Sequence, residues 1–444
     1  MNLSQKLEKV SVLGAAGKMG SGILVLLAIE MGKYRLSSPE KSKEYVLNAI
    51  DVSNIALYNL IEYVRKQLEK HAEKRIVEMR QLYREREDLV ENGEVIQEYV
   101  NDILGMIKTS TRLEATYDSN LVFEAIKEDK DLKIKLFSQI RDNNPNVLIL
   151  TNTSSIPIGE IDREGGLNGQ IIGFHFYNPP VVQKLLEIIK AENTQEELAQ
   201  LAEELAKSMR KVIVYSSDKA GFIGNGHFMR DALYALNKAE ELSIEMGWAK
   251  AIYMIDMITR DLLLRPMGIF QLIDYVGIDV TRFILQSMQP SFPDEILEHF
   301  LLNTLMDQSV TGGQYADGSQ KDGFFKYEKG RIVEVYDPKS EEYQVAELVK
   351  VDCLEKLGTL PGLKINWRMV VRDANKKEVL EKFFRQLRKL DSMGAELAID
   401  YGRNSGAIAK MLVDTDVAAT EQDVNTVLET GFYHAYGPIN EYFN

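Results

Sequence analysis

His175 is the residue in this chain best placed by its neighbours to do acid–base chemistry. It lies at the end of an apolar run, residues 170–176, and is followed by Phe176-Tyr-Asn-Pro-Pro180. A histidine there can accept a proton near neutral pH, because its free pKa is about 6.5. The Pro179-Pro180 turn can fold the next apolar segment, residues 184–189, back beside the first and bring Glu187 to the ring. A carboxylate on one ring nitrogen fixes the tautomer and stabilises the imidazolium. Ser154 and Asn225 stand in turn- or glycine-rich contexts, where a neutral polar side chain either holds a substrate oxygen or caps a helix. His71, His227, His299 and His434 form no pair at metal-ligand spacing. One cysteine, Cys353, excludes an intramolecular disulfide and a cysteine-cluster metal site.

Such a base suits oxidation of an alcohol, provided a dinucleotide can take the hydride. The first thirty residues carry that signal. A short apolar segment, residues 9–13, runs into Gly14-Ala-Ala-Gly17-Lys18-Met19-Gly20, and an apolar helical stretch follows over residues 23–31. Gly14 would allow the tight turn, Gly17 the approach of a pyrophosphate, and Gly20 close packing of helix on strand. Gly14, Gly17, Lys18, Met19 and Gly20 are therefore the expected cofactor loop, facing a helix N-terminus. Strand two is expected over residues 44–50, delayed by a polar insertion at 33–43. Asp51 at its end either bonds the adenosine ribose hydroxyls or caps the next helix. Val52, Ser53 and Asn54 include no arginine for a 2′-phosphate, which favours NAD over NADP.

The elements that must position these groups alternate. A long charged helix is expected over residues 54–90 and a shorter one over 94–104. Strand-like segments follow at 106–108, 121–125, 147–151, 170–176, 185–189 and 211–215, with helical patterns at 130–141 and 195–210. Alternation of this kind predicts a mostly parallel, doubly wound α/β sheet of Rossmann type, with ligands beyond the carboxyl ends of its strands. After Asp218 the pattern is helical to about residue 305. A glycine-rich and polar segment, 308–343, then contains a hairpin formed by 324–327 and 331–336, and helical patterns return to the end. The expected layout is a Rossmann-like domain at 1–217, an all-α domain at 218–307, a linker with a hairpin at 308–345, and a second helical domain at 346–444. Two faint similarities support a repeat: Ala239-Glu-Glu-Leu-Ser-Ile-Glu245 with Ala395-Glu-Leu-Ala-Ile-Asp400, and Met267-Gly-Ile-Phe-Gln-Leu-Ile-Asp-Tyr275 with Tyr436-Gly-Pro-Ile-Asn-Glu-Tyr442.

Four motifs in order resemble the 3-hydroxyacyl-CoA dehydrogenases over about residues 9–290. They are Thr151-Asn-Thr-Ser-Ser155, His175-Phe-Tyr-Asn-Pro179 with Lys184-Leu-Leu-Glu187, Asp218-Lys-Ala-Gly-Phe-Ile-Gly-Asn225, and Pro266-Met-Gly-Ile-Phe-Gln-Leu-Ile-Asp-Tyr-Val-Gly277. The resemblance implies NAD-dependent interconversion of an (S)-3-hydroxyacyl-CoA and its 3-ketoacyl-CoA, in fatty-acid or related acyl metabolism. It implies that His175 is the general base and Glu187 its partner, with Ser154 and Asn225 orienting substrate and histidine. It places Asn178 near the nicotinamide, Glu128 and Lys133 at NAD-contacting positions, and Lys74 at the CoA moiety.

The chain departs from the family pattern in four places. The glycine loop has one extra residue, and the stretch before strand two is longer. Ala220 replaces a proline, and Gly226-His227 replaces an arginine and an apolar residue. The tail resembles a second copy of the family's C-terminal helical domain, which could bury within one chain what shorter members bury in a homodimer. Two other readings stand beside the leading one: a member that binds NAD or acyl-CoA without turnover, and a dehydrogenase of a free hydroxy acid.

The composition sets outer limits. The 444 residues are 45% hydrophobic and 27% charged, with a net charge of −14, which argues against a broad nucleic-acid or anionic-membrane surface. No apolar run approaches the roughly 18 residues of a membrane span. The polar N-terminus lacks the apolar centre of a secretory signal, so a cytoplasmic protein is expected.

Overall fold

A computed structural model describes residues 2–37, 43–315 and 318–444. The chain divides into two compact units, Met1–Asp218 and Lys219–Asn444.

The first unit contains, in order, α1 (Leu3–Lys6), β1 (Lys9–Leu13), α2 (Lys18–Ser37), β2 (Val46–Ile50), α3 (Asn54–Lys74), α4 (Ile76–Leu82), α5 (Asn92–Leu104), β3 (Ile107–Ser110), β4 (Leu121–Glu124), α6 (Lys130–Asn143), β5 (Leu148–Thr151), α7 (Ile158–Gly165), β6 (Ile171–Phe176), β7 (Leu185–Lys190), α8 (Glu196–Ser208) and β8 (Val212–Ser217). The strands form one sheet in the order β3-β2-β1-β4-β5-β6-β7-β8. β6 and β7 pair antiparallel, and the other neighbours pair parallel. Central strands β4, β5 and β6 are buried along their whole length, as expected of a sheet covered on both faces. The order reverses between β1 and β4, and the glycine loop leaves β1 at this switch point.

Three details differ from the sequence expectation. The long helix breaks at Arg75, whose backbone leaves the helical region, giving α3 and α4. Non-helical chain then turns back into α5, and Arg80 satisfies the carbonyls of Leu89 and Val90 at 2.9 and 2.6 Å. That turn could not form inside a continuous helix. Of the polar stretch 33–43, residues 33–37 extend α2, while 38–42 lie outside the described residues. Helix α7, which carries no long apolar periodicity, joins β5 to β6, its N-terminus capped by Asp218 at the N–H of Gly159 (2.6 Å).

The second unit contains α9 (Gly224–Met246), α10 (Trp248–Met257), a π-helical turn at 258–262, α11 (Ile269–Val276), α12 (Ile278–Met288), α13 (Phe300–Asp307), β9 (Phe325–Glu328), β10 (Arg331–Asp337), β11 (Glu342–Val345), α14 (Ala346–Leu357), α15 (Trp367–Val370), α16 (Lys376–Leu387), α17 (Met393–Asp414) and α18 (Glu421–Gly431). The expected hairpin is β9–β10, and β11 adds a third antiparallel strand. Residues of 218–307, 308–345 and 346–444 contribute to one hydrophobic core.

The two similarities within the helical regions fare differently. Ala239 lies toward the end of α9, whereas Ala395 opens α17, so that pair does not occupy matching places. The other pair shares a glycine contact but not the element, since Gly268 precedes α11 and Gly437 lies outside any helix. Gly268 packs against the carboxyl of Asp256, and Gly437 packs against the amide of Asn425 at the same sequence separation. Asp256 accepts the N–H of Gln271, three residues past its glycine, at 2.9 Å, and Asn425 accepts that of Ile439, two residues past its own, at 3.0 Å. The unusual Gly226-His227 also has a local explanation. A Cβ on residue 226 would stand 3.1 Å from Leu412 of α17. His227 is buried, with Nε2 3.1 Å from the carbonyl oxygen of Ser405. Both residues accommodate α17 against α9. Among the described residues no helix is long and apolar enough to cross a membrane.

Candidate functional site

The cofactor loop is shaped by contacts that a side chain would abolish. Gly14 has φ +72°, and a Cβ there would fall 2.5 Å from the carbonyl oxygen of Ala125 on the neighbouring β4 connection. A Cβ on Gly20 would fall 2.0 Å from the carbonyl oxygen of Gly14. Gly17 donates its N–H to the carbonyl of Gly14 at 3.0 Å, a turn that absorbs the extra residue of the loop. Lys18 and Met19 open α2, with Lys18 exposed. Asp51 follows β2, its Oδ2 accepting the N–H of Ala16 at 3.1 Å. The cap of α3 is Ser53, whose Oγ accepts the N–H of Ala56 at 3.2 Å, so Asp51 does not fill that role. A glycine cradle at the switch point and an acid at the end of β2 fit a dinucleotide with free ribose hydroxyls.

Glu128 organises the turn after β5. Its Oε1 accepts Thr153 Oγ1 (2.6 Å), Ser154 N (2.8 Å), Ser155 N (3.1 Å) and Ser155 Oγ (3.0 Å). Lys133 lies behind it with its side chain 1% exposed, its Nζ 2.6 Å from Glu124 and 3.2 Å from Glu128. Burial disfavours the ammonium, but the Glu124 and Glu128 charges outweigh this and raise its pKa. Lys133 thus supports the turn from beneath, through Glu128. Sequence reasoning missed Glu124, which also accepts the N–H of Ile126 at 2.7 Å. It also missed Asn152, whose Oδ1 accepts the N–H of Phe176 at 2.8 Å and ties the Ser154 turn to the end of β6.

His175 and Glu187 are direct cross-strand partners in the antiparallel β6–β7 pair. His175 Nδ1 lies 2.9 Å from Glu187 Oε2, and Tyr177 donates its hydroxyl to the same oxygen at 2.8 Å. The Glu187 side chain is fully buried and that of His175 is 9% exposed. Burial and the Glu187 charge push the Tyr177 phenol well up from its usual range, which keeps it a donor. Tyr177 was legible in principle, since it shares side-chain parity with His175. With Nδ1 donating to a carboxylate, Nε2 is the basic nitrogen. Asn178 is half-buried in the connection that follows. Asn225 belongs to the second unit, in the first turn of α9.

Lys74 is exposed in the last turn of α3 and borders a cleft of about 340 Å³. Lys33, Lys70, Arg75 and Arg210 also line it, with Glu30 paired to Lys33, so the lining carries an excess of positive charge. Burial, with Arg75 and Lys33, lowers the pKa of His71 in this cleft to about 4.

Comparison with known proteins adds the following. A family model described as "3-hydroxyacyl-CoA dehydrogenase, NAD binding domain" matches residues 9–219, and the C-terminal domain of the same family matches 221–327. A Caenorhabditis elegans protein named as a probable 3-hydroxyacyl-CoA dehydrogenase is 29% identical over 326 residues, 72% of this chain and 93% of that protein. A Deinococcus radiodurans protein named as a probable 3-hydroxybutyryl-CoA dehydrogenase is 32% identical over 226 residues, 51% of this chain and 78% of that protein. The solved structure of 3-hydroxybutyryl-CoA dehydrogenase from Escherichia coli K12 covers 98% of this chain, and 90% of its own, with a TM-score of 0.65 at 21% identity. That likeness concerns the fold and reaches residues beyond 327, which neither family model matches.

Proposed function

Since the chain belongs to the 3-hydroxyacyl-CoA dehydrogenase family and is an NAD-dependent dehydrogenase, we propose that it interconverts an (S)-3-hydroxyacyl-CoA and its 3-ketoacyl-CoA with His175 as general base. The observation that carries this is the buried contact of His175 Nδ1 with Glu187. In the oxidative direction His175 Nε2 takes the proton of the substrate hydroxyl. NAD, when bound, accepts the hydride from the same carbon. Glu187 stabilises the imidazolium that forms, and Tyr177 holds Glu187 in place. Ser154, on the turn fixed by Glu128, is proposed to bond the substrate oxygen, and Asn225 is given its orienting role by motif alone. Gly14, Gly17, Lys18, Met19, Gly20 and Asp51 would hold NAD, with Asn178 near its nicotinamide. The basic cleft at Lys74 would take the phosphates of CoA, which favours a CoA ester over a free hydroxy acid. The second helical region is proposed as a repeat of the first, supported by the matching Asp256–Gly268 and Asn425–Gly437 contacts. A cytoplasmic location stays a proposal, as does burial by the tail of what shorter members bury in a homodimer; the mass in solution decides between monomer and dimer.

The test is NADH consumption with acetoacetyl-CoA, longer and aromatic 3-ketoacyl-CoAs, and free acetoacetate, alongside His175→Ala. The expected result is turnover of a CoA ester that His175→Ala lowers about 10²- to 10⁴-fold, with NADH affinity retained. Silence with every ester, despite tight ligand binding, would instead establish a binding protein. Preference for the free acid would make it a different dehydrogenase, and an active His175→Ala would remove the base.

A further inference from the structure

The connection between β6 and β7 carries Asn178 and decides where Glu187 returns beside His175, yet it has no regular secondary structure. Within it, the N–H groups of Val182 and Gln183 bond the carbonyl of Pro179 at 3.0 and 2.9 Å. The carbonyls of Pro180 and Gln183 turn the other way, toward Lys211. Its Nζ donates to Pro180 O at 2.7 Å and to Gln183 O at 2.6 Å. The same ammonium sits 5.3 Å from the centre of the Phe176 ring, next to His175 in sequence. Among the described residues it has no carboxylate partner. Burial lowers its pKa to about 8.

The opposite side of the connection rests on the cofactor loop's helix. A Cβ on Gly22, in the first turns of α2, would lie 2.8 Å from Pro180 Cδ, so the proline ring fills the space that glycine leaves. The connection is thus gripped between Lys211, at the entry to β8, and Gly22, two residues past the last glycine of the loop.

We propose that Lys211 is a positioning residue for the reaction: by clamping the Pro180 and Gln183 carbonyls, it holds the His175–Glu187 pair in register and keeps their connection seated on the cofactor helix. This rests on the reading of His175 as general base. Two charge-assisted hydrogen bonds from one ammonium fix two points of the connection at once. Loss of the clamp lets Asn178 and the start of β7 shift, and small displacements of catalytic groups are costly in rate.

The experiment compares full-length Lys211→Met, Lys211→Arg and His175→Ala, using NADH and the 3-ketoacyl-CoA that the parent reduces fastest. Lys211→Met should lower kcat about 10- to 100-fold, leave KM for the ester and NADH affinity unchanged, and unfold well above the assay temperature. Lys211→Arg, which can still donate to both carbonyls, should recover most of kcat. A folded Lys211→Met with the parental kcat overturns the proposal. A loss that follows the fraction of folded protein, and that arginine does not repair, also overturns it and leaves Lys211 a purely structural part. Should Lys211→Met fail to fold, Lys211→Gln is judged by the same criteria. His175→Ala separates the two layers. If it is inactive while Lys211→Met is normal, only the clamp falls. If it is active, or no ester is turned over by the parent, the general-base reading falls and takes the clamp with it.

Discussion

Glu187 reaches His175 because the two stand opposite each other where the sheet changes from parallel to antiparallel, which brings Oε2 to 2.9 Å from Nδ1. Cross-strand partners have their Cβ atoms close enough for short side chains to meet directly. The ladder fixes the contact once the connection between β6 and β7 has returned the chain in this register.

Glu187→Gln should lower kcat by about 10²- to 10⁴-fold, because the amide no longer stabilises the imidazolium or enforces the tautomer. KM for the ester should change little. Tyr177→Phe should have a smaller effect in the same direction, since Glu187 keeps its histidine. Steady-state kinetics decide both, and a Glu187→Gln enzyme with the parental kcat would refute the partnership.

The basic cleft gives a substrate-specific prediction. Lys74→Ala should raise KM for a CoA ester by about tenfold, equivalent to ~1.4 kcal/mol, with kcat preserved. The same change should leave KM for the matching pantetheine ester untouched, because that ester lacks the nucleotide phosphates. The difference should shrink at high salt. Equal effects on both esters would move the CoA nucleotide elsewhere.

Lys133→Met should destabilise the first unit by about 3–5 kcal/mol, because it leaves the fully buried Glu124 without its cation. Urea unfolding followed by circular dichroism measures this. A variant as stable as the parent would show that Glu124 needs no counter-charge.

Asp256 carries the pH prediction. Burial raises its pKa from 3.8 to about 6, outweighing Arg260, 3.3 Å away. Between these values the folded protein binds more protons than the unfolded chain, so stability falls as pH rises through this window. The cost is complete above pH 6 and absent below the unfolded value. Asp256→Asn should therefore stabilise the protein by about 1–3 kcal/mol above pH 6, and the gain should vanish near pH 4. Thermal unfolding across pH tests this, and a variant less stable than the parent at pH 7.5 would reverse the sign of the argument.

Much of the site was legible in linear order because its chemistry is written in short motifs. Residues 9–20 announce strand, glycine turn and helix, and β1 has the expected bounds. The Pro179-Pro180 turn between two apolar runs is enough to anticipate an antiparallel return and the meeting of His175 with Glu187. Local periodicity also separates the α/β half from the helical half.

What the linear order could not supply is which buried polar groups find each other. The linear order does not reveal that the fold encloses Lys133 between Glu124 and Glu128. Lys211 is one cation among many until the turn of Pro180 and Gln183 aims two carbonyls at it. The break at Arg75 and the edge strand β11 depend on neighbours distant in sequence or on a few half-exposed residues, which periodicity does not register. The sequence by itself determined the order of elements, the glycine cradle and the pairing of His175 with Glu187, because these rest on local sterics and residue chemistry. Tertiary structure alone decided which charges are buried together and which carbonyls need a donor, because desolvation is a property of packed surroundings and not of neighbours along the chain.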